Sequence, residues 1–235
     1  MRRPIAHVYV DGFNLFKRSL SGRPELKWLD LVALAEMALP EFEIGKVYYF
    51  SARLKPKATF DLTAPQRQQI YLRALETQSP KVHVIFGQFQ AISKLMVALP
   101  KEDAIDGSSW RKTKVLKTEE KGTDVNLASR LVADLLLGNC EIGVVMSNDS
   151  DQVGPIKMLT DEFGKRVGLI FPLEPGQKGN RELRKTNVEF ARRITSTQLL
   201  ACQLPAQIAD ANGIISRPEA WSQRLNTEGP ENGAF

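Results

Sequence analysis

Residues 142–151 read IGVVMSNDSD, a short apolar run followed by a polar turn that carries two aspartates. A continuous apolar run bounded by turn residues is the pattern of a strand buried on both faces. Residues 7–12, HVYVDG, repeat the arrangement near the start of the chain, the run ending on Asp11. KVYYF at 46–50, VHVIFGQF at 82–89 and RVGLIF at 166–171 complete the expected strands. Between them lie stretches suited to helices: 28–39, which stops at Pro40, 64–78 with Pro65 in its first turn, 122–137, and 151–163. Strands alternating with helices imply βαβ units and a mainly parallel α/β sheet.

In such a sheet ligands bind beyond the carboxyl ends of the strands. Asp11 and Asp149 both follow strands and belong at that edge. Residues 122–137, GTDVNLASRLVADLLL, form the clearest helical pattern and open on Asp124 just before the strand at 142. Asp124, Leu127, Ala128, Leu131 and Leu135 share one helical face, so this acid heads a buried stripe and points inward. Asp11, Asp124, Asp149 and Asp151 are therefore expected to gather at one place. Carboxylates so placed repel unless protons or a cation neutralise them. A hard divalent ion bound by oxygen, of the magnesium type, answers that requirement. Singly, each acid would serve equally well in a turn or as a helix cap. Asn14, Ser147, Asn148 and Ser150 add amides and hydroxyls that suit a phosphate, a metal-bound water or a cap.

The 235 residues carry a net charge of +5, with 43% hydrophobic and 25% charged side chains, ordinary for a globular α/β protein with a lean towards polyanions. Arg111, Lys112, Lys114, Lys117 and Lys121 lie just before the Asp124 helix, and Lys178, Arg181, Arg184, Lys185, Arg192 and Arg193 follow later. With Trp110 and Phe89 as stacking surfaces, they suit a phosphodiester substrate. There is no GxxxxGK[ST] or GxGxxG motif and no evident Ser-His-Asp pattern, which argues against an ATPase, a dinucleotide enzyme or a serine hydrolase. His7 and His83 fall inside strand patterns. Cys140 and Cys202 lack metal-ligand spacing and read as reduced thiols. No apolar stretch reaches membrane-spanning length, so the expected location is cytoplasmic, with no membrane partner. Past Leu204 the composition turns to Pro, Asn and Gly. The expected division is a domain at 1–204, then an extended arm and disordered tail at 205–235.

Three blocks in register carry a family resemblance: VYVDGFNL at 8–15, EEKGTDVNLA at 119–128, and VVMSNDSDQVGPIKML at 144–159. On these the chain resembles the NYN domain family, relatives of the PIN-like nucleases. The resemblance implies a five-stranded parallel sheet ordered 3-2-1-4-5 flanked by helices, a PIN-like three-layer sandwich. It implies Asp11, Asp124, Asp149 and Asp151 as metal-site and catalytic acids, with Asn14 assisting. The implied activity is a Mg²⁺- or Mn²⁺-dependent endoribonuclease acting on single-stranded or structured RNA. Asn14, Ser147, Asn148, Ser150, Arg111, Lys112, Lys114 and Lys121 would then face the substrate. Two departures stand out: Asn148 replaces a frequent glycine, and residues 91–118 lack the Cys-x-x-Cys of many relatives. The alternatives are an RNA-binding or regulatory protein without catalysis and, third, a magnesium-dependent phosphatase.

Overall fold

The computed structural model describes residues 2–54, 61–98, 111–174 and 176–222. Its centre is a seven-stranded sheet in the order β4-β3-β2-β1-β5-β6-β7. The strands are β1 (Ile5–Asp11), β2 (Glu43–Ala52), β3 (Val82–Ala98), β4 (Arg111–Lys121), β5 (Ile142–Met146), β6 (Val167–Phe171) and β7 (Phe190–Arg193). All neighbours pair in parallel except β3 and β4, which form an antiparallel hairpin at one edge.

The five-stranded PIN-like sandwich expected from the sequence is corrected at both margins. Strand β3 continues past Phe89 to Ala98, and the lysine-rich segment after it pairs along its whole length as β4, from Gln88 opposite Lys121 to Ala98 opposite Arg111. At the other margin Phe190–Arg193 adds a parallel strand to β6. Both additions are solvent-washed edge pieces. Edge strands need no continuous apolar run, because one side of the ribbon stays wet.

Side chains alternate across the sheet with period two. Along β1, Ala6, Val8 and Val10 enter one buried cluster while Tyr9 enters the other. The first cluster is closed by α2 (Leu31–Ala38) and α3 (Ala64–Gln78), around Trp28, Leu34, Tyr71 and Leu75. The second is closed by α4 (Thr123–Leu136) and α5 (Val153–Lys157), through Leu127, Leu131, Leu135 and Ile156. The stripe read from the sequence of α4 is thus its buried face.

Residues after Leu204 pack onto this body. Strands β8 (Gln207–Asp210) and β9 (Gly213–Ser216) make a hairpin whose Ile208 and Ile215 join the first cluster. Arg73 of α3 donates to Asp210 at 2.6 Å. Trp221 lies with its ring 6.2 Å from Trp28 and 6.0 Å from Tyr71. The part of the expected extended arm that falls at 205–222 is therefore folded structure, and 223–235 lie outside the described residues.

Candidate active site

Register places the acids. Asp11, the last residue of β1, sits opposite Phe50 of β2, and Val10 sits opposite Met146 of β5. The chain leaving β5 therefore begins its turn, Ser147 to Asp149, beside Asp11. Next to Asp11, Gly12 starts the short helix α1 (Gly12–Leu15); a Cβ there would lie 2.6 Å from both the Phe50 carbonyl oxygen and the Tyr49 ring. Only glycine lets β1 turn so close to β2. Gly122, at φ 88°, makes the left-handed turn from β4 into α4 and delivers Asp124 in the first helical turn.

The geometry is a chain of short contacts. Asp11 is 5% exposed. Its Oδ1 accepts from the Asn14 backbone N–H at 2.9 Å, and its Oδ2 accepts from the Ser147 hydroxyl at 2.8 Å. The same hydroxyl oxygen accepts from the Asp149 N–H at 3.0 Å. Asn14 Oδ1 accepts from the Asn148 N–H at 3.1 Å, tying the two strand ends together. Asn148 in turn accepts from the Asn180 N–H at 2.6 Å. Gln152 reaches Asp124 Oδ1 at 3.5 Å.

Asp11, Asp124 and Asp149 each offer a carboxylate oxygen within 4.8 Å of the others. These three can coordinate a divalent metal ion. Asp151 does not join them. It is exposed, and its N–H donates to Asp149 Oδ1 at 3.1 Å within a single 3₁₀ turn. Ser150 is likewise exposed.

Electrostatics fit a cation here. Burial pushes Asp11 above the usual carboxylate range, against the pull of its bonds to Asn14 and Ser147, and nearby Asp149 adds to the rise. Asp124 is pushed up to about 6 by burial and then by Asp11, Asp149 and Asp151. Glu120, on β4, is pushed up to about 7 by burial, Asp124 and Asp11. Among the described residues no basic side chain pairs with these three acids, and a bound divalent ion would answer their charge. Asp134, another buried acid on α4, has its own partners in Arg130, Asn139 and Tyr9 and takes no part.

Beside the acids opens a cavity of about 200 Å³ that shares Gly12 and Glu120 with their surroundings. Its walls are aromatic: Phe13, Phe16, Tyr49, Tyr71, Phe89 and Trp221. Lys27, Ser51, Arg67 and Gln68 are its other polar members. Sequence reasoning missed this cavity. Phe89 was expected as a stacking surface, and Glu120 carried a signal as an acid four residues before Asp124 in the block EEKGTD; the rest come from widely separated segments.

Lys112, Lys114 and Lys121 are exposed on the edge strand β4, where Lys121 approaches Glu119 at 3.8 Å. Nothing is described of the Arg111 side chain, and Trp110 lies outside the described residues. Arg192 is engaged by Glu41. Cys140 and Cys202 are free and buried. His7 is buried in the sheet, its Nδ1 3.6 Å from Asp134, and burial lowers its pKa. No helix among the described residues is long and apolar enough to cross a membrane.

Comparison with known proteins changes the functional expectation. No protein family profile matches the chain. The chain is similar to 6-hydroxy-3-succinoylpyridine 3-monooxygenase HspA of Pseudomonas putida, with 29% identity over 239 residues, covering 91% of this chain and 74% of that protein. A solved structure of a protein of unknown function from Vibrio parahaemolyticus superposes with a TM-score of 0.46 at 13% identity, over 83% of this chain and 95% of that one. A likeness that distant carries no argument. The relative is a monooxygenase by name, and this overturns the NYN and PIN-like assignment and the endoribonuclease activity. The three motif blocks record a strand-end acid arrangement. That arrangement is chemistry, and it does not name a substrate.

Proposed function

We propose that the chain is a divalent-cation-dependent enzyme of the monooxygenase type, acting on a small aromatic molecule held in the cavity beside the acid cluster. The observation that carries this reading is the 29% identity to a pyridine monooxygenase, spread over 91% of the chain. The cavity supports it: about 200 Å³ with six aromatic side chains in its walls suits one planar ring.

In this reading Asp11, Asp124 and Asp149 hold the ion, and their oxygen-only donor set favours Mg²⁺ or Mn²⁺ over softer metals. When bound, such an ion polarises an oxygen substituent of the substrate. Ser147 and Asn14 keep Asp11 oriented through the bonds already described. Asn148 holds the turn to the segment at Asn180. Glu120, carboxylic acid and carboxylate in comparable amounts near neutral pH, stands between cavity and acids, where a proton can be taken or returned. The aromatic walls exclude water around the ring. One oxygen atom of O₂ enters the product and the other leaves as water, with two electrons from a reduced nicotinamide or flavin in solution.

The test is oxygen uptake by the purified chain with 6-hydroxy-3-succinoylpyridine, a reduced nicotinamide, flavin, and Mg²⁺, Mn²⁺ or chelator. Label from ¹⁸O₂ should appear in the product with metal present and vanish with Asp149→Asn. Folded protein that consumes no oxygen under any of these conditions refutes the reading.

A further inference from the structure

Lys27 is placed by its neighbours. Leu26 and Trp28 on either side are fully buried, which fixes the backbone between them. Its side chain enters the aromatic cavity, with the ammonium 5.3 Å from the centre of the Phe16 ring. Among the described residues no hydrogen bond or ion pair reaches that ammonium; the acids that favour its charge, Asp61 and Glu25, act only at a distance. Glu25 is approached by Arg23 at 3.7 Å. Arg67 reaches the same cavity from α3, and its Nε is buried without a hydrogen-bond partner. Burial and the proximity of Arg67 both lower the pKa of Lys27. The Arg67 guanidinium is held by Asp61 and Thr63, so Lys27 is the cation left without a bonded partner among the described residues, with Arg67 Nε a donor to spare.

The other charged part is separate. The charges that act on Lys27 are those of Arg67, Asp61 and Glu25, whereas those that act on Glu120 are Asp124 and Asp11. The cavity thus holds a cation, Lys27, and an acid, Glu120, that form no ion pair with one another among the described residues.

We propose that Lys27, with Arg67 beside it, is an anion anchor that takes the carboxylate of a planar aromatic acid, while the ring lies among Phe16, Tyr49 and Trp221 and its far edge faces Gly12 and the acid cluster. An ammonium in an apolar setting gains a strong charge-assisted bond from a carboxylate. A neutral polar group returns less. This inference rests on the functional reading only for the fate of the ring; the anchor binds whether or not oxygen transfer follows.

The probes are nicotinate and nicotinamide, which share the ring and differ in the charge of one substituent. Binding to the full chain is measured by calorimetry at neutral pH with chelator present, beside thermal melts of every variant. The wild type should bind nicotinate about tenfold or more tightly than nicotinamide. Lys27→Met should remove most of that preference, and Lys27→Arg should retain it. Should Lys27→Met lose its cooperative melt, Lys27→Gln serves in its place. Equal binding of the two probes by the wild type, binding of neither, or a preference unchanged when the ammonium is removed each overturns the anchor. The oxygen-uptake assay reads the other proposal independently. A carboxylate preference without oxygen consumption leaves the anchor standing and sinks the oxygenase; oxygen consumption without the preference does the reverse.

Discussion

Asp124→Asn should make the metal-free protein more stable above neutral pH. The folded-state pKa of Asp124 is about 6 against an ordinary 3.8. A raised pKa means that the native state binds the proton more tightly than the unfolded chain does. The stability linked to that proton is fully present below pH 3.8 and is lost as pH rises through about 6. A shift of this size corresponds to ~3 kcal/mol at full strength. Partial exposure of the side chain and solvent screening reduce the working figure to ~1.5 kcal/mol. Asparagine removes the charge, keeps an oxygen to accept from Gln152, and should recover that amount at pH 7.5. For a chain of this size the gain is ~3–6 °C in melting temperature. The assay is calorimetry of both proteins in chelator from pH 4 to pH 8. The difference should be near zero at pH 4, grow through pH 6 and level off. Addition of Mg²⁺ or Mn²⁺ should raise the wild type and leave the variant almost unmoved. A variant less stable than the wild type at pH 7.5 in chelator, or a difference independent of pH, would refute the claim that uncompensated negative charge collects at this strand edge.

Other outcomes follow from the same geometry. Asp11→Asn should abolish the metal-induced rise in melting temperature, read in the same calorimeter. Gly12→Ala should cost about 1–3 kcal/mol, measured by urea denaturation, because its methyl group meets the Phe50 carbonyl and the Tyr49 ring at 2.6 Å. Tyr71→Phe should cost about 1–2 kcal/mol, since the buried hydroxyl donates to the Leu29 carbonyl at 2.8 Å and no other donor replaces it. Trp28→Ala should cost about 3–5 kcal/mol, through the lost volume and the lost bond from its indole N–H to the Pro205 carbonyl at 2.8 Å.

The inner strands and the three converging acids were readable because each leaves a local trace. Buried parallel strands are continuous apolar runs, and the acids stand where those runs or a helical stripe begin or end. Strand β4 left no such trace. Its alternation of lysine with threonine, valine and leucine is that of an exposed ribbon, held by pairing with β3 and not by burial. Strand β7 is four residues, FARR, whose half-buried phenylalanine and arginine look like a turn until β6 is beside them. Asp151, exposed in a tight 3₁₀ turn, stays outside the trio of acids while its charge still acts on Asp124. The cavity as a whole could not be read. Its walls come from the ends of β1 and β2, the start of α3, the β3–β4 hairpin and the C-terminal Trp221, and only the closed fold brings these together. The error in function had the same root: the motif blocks describe where carboxylates sit, and the neighbouring cavity was invisible.

Trp221 gives the C-terminal hairpin a meaning beyond support. The three acids are in place once residues 11 to 149 have folded, but the chamber next to them has no lid on one side until the last described turn docks against Trp28 and Tyr71. One wall of the chamber is thereby supplied by a stretch of polypeptide remote from those acids, while Lys27 and Arg67 come from the body. Exchanging the terminal turn that carries Trp221 would reshape that wall while leaving the acids and Lys27 as they are.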